Sequence, residues 1–178
     1  PGQFSLGGGK IVETYDAMLE LQKEGIVRSV GVSNFGVKHL EALEQYGRPA
    51  PAVNQFEVHP LMWEERKEVV QYCRDNKILV QAYGSVLSGH DDLMEKATSM
   101  VSTEGKTAAQ VLLRWAIEQG FQVIPKSTHR DHQEENMDIF DFSLTPEEVE
   151  SLNSYGGKLP DYWDPLSMPV DVGAVSAP

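Results

Sequence analysis

Four short valine-containing runs alternate with helix-patterned segments along the chain, and this alternation restricts the possible fold more than any other feature. The runs cover residues 26–32, 52–58, 78–83 and 121–125, with Val30, Val53, Val80 and Val123 at corresponding places. Helical spacing links Ile11, Tyr15, Met18 and Leu19 within 10–24, and amphipathic stretches follow at 37–46 and 64–77. Residues 84–92 read as a loop, and 93–120 as two helical pieces broken near Gly105. The second piece opens on a capping box from Thr107 to Gln110. A helix is expected over 131–139, and a last one where Thr145 caps, Pro146 takes the first helical position and Glu148 closes a second box. Strands joined by crossovers this long pair in parallel. The first two intervals suit one crossover helix each, and the third suits two. An α/β fold with a parallel sheet is therefore expected.

The 178 residues suit one domain, and 40% hydrophobic with 24% charged residues is ordinary for a globular protein. No apolar run approaches the ~20 residues needed to cross a bilayer, and no secretory-type segment opens the chain, so no membrane partner is expected. The single cysteine, Cys73, excludes an internal disulfide framework and reads as a small buried apolar side chain. A reducing, cytoplasmic setting fits. A net charge of -12 argues against nucleic acid. An anionic ligand would need a local basic patch, for which Lys126 and Arg130 are candidates. The chain opens on Pro1 rather than methionine, which points to a non-native start.

In parallel α/β folds, ligands sit at the carboxyl ends of the strands. Here the fourth run, Val123-Ile124-Pro125, breaks into Lys126, Ser127 and Thr128 before a polar helix start at Asp131. A helix N-terminus offers unpaired N–H groups and partial positive charge, and Lys126 adds a full one, so this end suits a phosphate. The other ends read Ser33-Asn34, Asn54-Gln55 and Gln81-Ala82-Tyr83. Amides, an aromatic ring and a phosphate site on neighbouring strands suit a nucleotide with a planar ring.

These residues resemble the aldo-keto reductase family. The resemblance rests on Gly31-Val32-Ser33-Asn34-Phe35, Val53-Asn54-Gln55-Phe56-Glu57-Val58-His59-Pro60 and Gln81-Ala82-Tyr83. It continues through Leu112-Leu113-Arg114-Trp115, Ile124-Pro125-Lys126-Ser127 and Glu135-Asn136. It spans residues 11–155. It implies a (β/α)8 TIM barrel of which this chain carries strands five to eight, the C-terminal half: residues 1–155 as the cofactor-binding barrel half and 156–178 as an irregular tail. It further implies NADP(H), with NAD(H) possible, and a small-molecule aldehyde or ketone substrate. Carried over, Ser33, Asn34 and Gln55 would hold the nicotinamide carboxamide and Tyr83 would stack on its ring. Gly84 and Ser85 would open the loop near the pyrophosphate. Lys126, Ser127 and Thr128 would take the 2′-phosphate, and His132, Glu135 and Asn136 would lie at the adenine. Trp163 in the tail would touch substrate or pack on the surface, and His59 reads as a structural residue.

Two positions depart from the family. His132 stands where an arginine is usual, which weakens the preference for NADP, with Arg130 nearby to compensate. Gly84 stands where serine is common. The short 84–92 loop implies an open pocket. The family's catalytic aspartate, tyrosine, lysine and histidine would all precede this chain. Four strands cut from a closed barrel leave bare edges and an uncovered interior. A partner is therefore expected, the N-terminal half of the same barrel, whether nicked, unseen or on another chain. Two other readings remain: a non-catalytic nucleotide-binding or structural module, and a complete doubly wound domain of flavodoxin type.

Overall fold

The computed structural model describes residues 10–99, 101, 105–156 and 164–171. Its sheet has four parallel strands in the order β1-β2-β3-β4: β1 Val32–Ser33, β2 Val53–Glu57, β3 Leu79–Tyr83 and β4 Gln122–Val123. Helix α1 (Ile11–Lys23) precedes β1. Helices α2 (Val37–Gln45) and α3 (Trp63–Asp75) fill the first two crossovers, and α4 (Asp91–Thr98) and α5 (Ala108–Glu118) fill the third. Helices α6 (Arg130–Met137) and α7 (Pro146–Asn153) follow β4. The caps form as expected: the Thr107 and Thr145 hydroxyls accept from the N–H groups of Gln110 and Glu148, while the Gln110 and Glu148 side chains accept in return.

The outer strands are shorter than their apolar runs. Residues 26–31 are irregular, and Ile26 is 65% exposed. Parallel pairing begins only where Ala52 N–H donates to the Val30 carbonyl at 2.8 Å. Likewise β4 stops at Val123 rather than 125. Both strands lie at the edges of the described sheet, with a ladder on one side alone, so fewer residues are held extended.

Burial alternates along the inner strands. Asn54, Phe56 and Val58 are fully buried, as is Ala82, whereas Gln55, Glu57, Gln81 and Tyr83 are half-buried and Leu79 is exposed. The buried face packs against α3 and α5 through Val70, Cys73, Val111 and Trp115. The opposite face carries a ladder of amides in register: Gln55 Nε2 donates to Gln81 Oε1 at 2.5 Å, and Gln81 Nε2 to Gln122 Oε1 at 2.8 Å. Among the described residues no helix covers this face. A doubly wound domain buries both faces of its sheet, so the flavodoxin-type alternative fails here.

Trp115 anchors the buried side. It is fully buried, meets the Trp63 ring edge-on with centroids 5.6 Å apart, and lies 6.1 Å from Phe121. Its indole N–H donates to Asn153 Oδ1 at 2.9 Å, tying α5 to α7. Trp115→Ala removes this packing and leaves a cavity. The expected loss is about 3–5 kcal/mol of unfolding free energy, read by denaturant titration of the complete protein.

Candidate active site

Because the strands run in parallel, their carboxyl ends share one edge of the sheet. At the end of β1, the Ser33 hydroxyl donates to the Gln55 carbonyl at 3.1 Å. Asn34 follows with φ of 60°, a left-handed conformation that asparagine tolerates better than most residues. Its N–H donates to the same Gln55 carbonyl at 2.8 Å. Its side-chain Oδ1 accepts from the Tyr83 hydroxyl at 3.1 Å, across the end of the intervening strand. Ser33, Asn34, Gln55 and Tyr83 thus form one connected group. Burial raises the Tyr83 pKa, and the Glu57 carboxylate adds to the shift. The hydrogen bond to Asn34 and the Arg66 charge oppose it, while Asp164 raises it further.

Gly84 comes next with φ of 65°. A Cβ there would stand 2.7 Å from Glu57 Oε1, so the Glu57 carboxylate fills the space a serine would need. Ser85 is buried, and its hydroxyl turns back to the Ala82 carbonyl at 3.3 Å.

Beyond β4, Lys126 is exposed, and among the described residues no carboxylate pairs with it. The Ser127 hydroxyl accepts from the His129 N–H at 3.1 Å, and the Ser127 carbonyl accepts from Gln133 Nε2 at 2.8 Å, which shapes the entry to α6. Thr128 is exposed. The His132 ring lies 5.4 Å from that of His129. Arg130 is engaged by Glu134 at 2.8 Å, so its charge is shared within the helix. The Glu135 carboxylate accepts from the Thr107 hydroxyl, which ties α6 to the start of α5. Asn136 is half-buried beside it. Trp163 lies outside the described residues.

Three residues beside Tyr83 escape the sequence reading: Glu57, Arg66 and Asp164. The Arg66 side chain is 2% exposed, donates from Nε to the Glu57 carbonyl at 3.1 Å, and pairs through Nη2 with Asp164 at 3.0 Å. A signal for it exists. Arg66 shares helical spacing with Val69, Val70 and Cys73 on the buried side of α3, and an arginine on such a face requires partners. His59 is fully buried with its Nε2 3.5 Å from Glu57 Oε1, and neither ring nitrogen makes a hydrogen bond among the described residues.

One cleft is lined by Leu40, Leu43, Tyr72 and Ile78, and another, between α1 and β1, reaches Ser33 of the strand-end group. Among the described residues no metal-binding cluster of His, Cys, Asp or Glu occurs, and no helix is long and apolar enough to cross a membrane. Cys73 is fully buried, and burial pushes its thiol pKa up to about 11 although the Asn54 amide pulls the other way. The folded protein is expected to resist thiol reagents at about pH 8 and to react once denatured. Rapid labelling of the native protein would show that Cys73 is reachable.

The profile of the Aldo/keto reductase family matches residues 5–90 and 87–156. Glyoxal reductase of Bacillus subtilis (strain 168) is 37% identical over 148 residues, which are 83% of this chain and 53% of that protein. The 7-acetyl-epi-neemfruitin B aldo-keto reductase of Melia azedarach is 39% identical over 153 residues, covering 82% of this chain and 46% of that protein. Among solved structures, MGS-M4, an aldo-keto reductase enzyme from a deep-sea metagenome library of the Medee basin, superposes with a TM-score of 0.78 at 33% identity, covering 88% of this chain and 58% of that one. A point mutant of Gox0644 in complex with NADPH gives 0.77 at 31% identity, covering 89% and 58%. The chain spans about half the length of the curated relatives it matches.

Proposed function

Because this chain belongs to the aldo-keto reductase family and has its α/β fold, we propose that it is the C-terminal, NADP(H)-holding part of an enzyme that reduces aldehydes or ketones to alcohols. The observation that carries this reading is the connected Ser33, Asn34, Gln55 and Tyr83 group at the strand edge that also bears Lys126. The chemistry of these donors fits a pyridine dinucleotide. Amides suit a carboxamide, an aromatic ring suits a flat heterocycle, and an ammonium group without a carboxylate partner suits a phosphate. A solved relative carries NADPH.

When bound, the cofactor supplies the hydride that a carbonyl carbon accepts. Asn34 and Gln55 orient the carboxamide, with Ser33 supporting them. Tyr83 shields one ring face and leaves the other to the substrate. Lys126, aided by Ser127 and Thr128, counters the 2′-phosphate. His132, Glu135 and Asn136 border the adenine, and Gly84 and Ser85 open the pyrophosphate loop. With histidine at 132 and Arg130 engaged by Glu134, Lys126 carries most of the discrimination between NADP(H) and NAD(H).

In this reading the proton for the developing alkoxide comes from outside this chain. The Tyr83 hydroxyl is committed to Asn34, and burial makes it a weaker acid. The N-terminal barrel half supplies the donor and covers the amide ladder with the exposed Leu79 and Ile124. This segment alone is inactive. A cytoplasmic location fits the buried free thiol.

In the complete protein, Lys126→Met is expected to raise the KM for NADPH about 10- to 100-fold, the scale of one lost charged contact, and to leave that for NADH nearly unchanged. Equal effects on the two cofactors, or none, would remove Lys126 from the 2′-phosphate site.

A further inference from the structure

The chain beyond α7 is tied back onto three separate elements. Asp164 caps a short 3-10 turn, Pro165–Ser167, by accepting from the Leu166 N–H at 3.3 Å, and the same carboxylate oxygen accepts from buried Arg66 at 3.0 Å. Arg66 is itself fixed by the Glu57 carbonyl at the end of β2. A buried guanidinium is costly unless its hydrogen bonds are met, so Arg66 is a firm anchor rather than a surface contact. The Leu166 side chain then packs against the core. Its carbonyl oxygen lies so close to Gly36 that a Cβ at that position would collide with it. Gly36 has φ of -78°, so close approach and not backbone conformation demands glycine here.

His39 completes the fastening. It is 6% exposed, and its Nδ1 accepts from the Gly36 N–H at 3.2 Å, so in the neutral ring the proton sits on Nε2. Burial pushes the imidazole pKa down, and the nearby Met168 and Pro169 carbonyls oppose that shift. Further on, the Asp171 carbonyl accepts from the Ile11 N–H at the start of α1. From the sheet side, buried Asn54 bonds Phe35 at both its N–H and its carbonyl, at 3.3 and 2.8 Å. The loop that carries Ser33 and Asn34 is thus gripped by Asn54 from within and by the tail from without.

We propose that Asp164 and His39 are positioning residues: they clamp segment 164–171 as a strap behind the β1–α2 loop and so fix the amide end of the cofactor site. The inference rests on the functional reading above. The strap is held at Arg66, Gly36, His39 and Ile11, around the elements that carry the amide end, so its loss is expected to act on that end of the dinucleotide.

The test uses the complete protein and two probes, NADPH and adenosine 2′,5′-bisphosphate, which lacks the nicotinamide. Asp164→Asn keeps the shape and removes the charge. His39→Leu removes the bond to the Gly36 N–H and the polar edge toward Met168 and Pro169, and His39→Gln retains a donor and an acceptor. Asp164→Asn and His39→Leu are expected to raise the NADPH dissociation constant about tenfold, equivalent to one good hydrogen bond, while His39→Gln recovers most of the loss. Binding of the bisphosphate stays unchanged. Parallel weakening of both probes, or no weakening of either, would overturn the strap's positioning role while leaving the cofactor reading in place. Failure of the unsubstituted protein to bind either probe would overturn both.

Discussion

Side chains from β1, β2, β3 and the loop after β4 can serve one ligand only because the strands run the same way and end level. The pairing of β2 with β3 sets this arrangement, with five consecutive partners from Val53 and Leu79 to Glu57 and Tyr83. A slip of one residue in that register would turn Tyr83 and Gln81 toward the helices and bring Ala82 and Val80 to the open face. It would also break the Gln55–Gln81–Gln122 amide ladder and part Tyr83 from Asn34. Buried Val80 and Ala82 resist such a slip, because it would expose them. The hydrophobic face therefore sets the geometry of the polar one.

Among the described residues the sheet is covered by helices on one face only. Leu79 and Ile124 stand exposed among half-buried glutamines, a composition suited to the inside of a barrel rather than to open water. Each edge strand holds only two paired residues, so the sheet fades out at both sides instead of ending in long ladders. In the proposed reading, the polar groups at the strand ends bind and orient the cofactor. None of those identified combines an acidic proton with the freedom to deliver it, since the Tyr83 hydroxyl is held by Asn34. Under the proposed function, binding and proton delivery accordingly divide between this chain and the half-barrel that would close it.

Much of this was legible in the sequence, for local reasons. The Thr107 and Thr145 capping boxes depend on residues three positions apart, and both formed where the pattern placed them. The inner strands were readable because burial on one face enforces alternation. The outer strands were not, because apolar residues such as Ile26 and Ile124 do not reveal whether a neighbouring strand is present to pair with them. The Tyr83–Asn34 bond joins residues 49 positions apart, yet both ends were marked by their places after apolar runs. Arg66 and Asp164 are 98 positions apart, and nothing local about Asp164 marks it as the partner of a buried arginine. The Glu135 side chain illustrates the converse. Its place in a motif gave no sign that Thr107 would hold it.

The most direct test is a crystal structure of the complete protein with NADPH. The expected result has the nicotinamide ring against Tyr83, its carboxamide at Asn34 and Gln55, and the 2′-phosphate at Lys126, all along one edge of the sheet. A dinucleotide bound elsewhere, or Tyr83 and Lys126 facing separate cavities, would contradict a shared cofactor site at these strand ends.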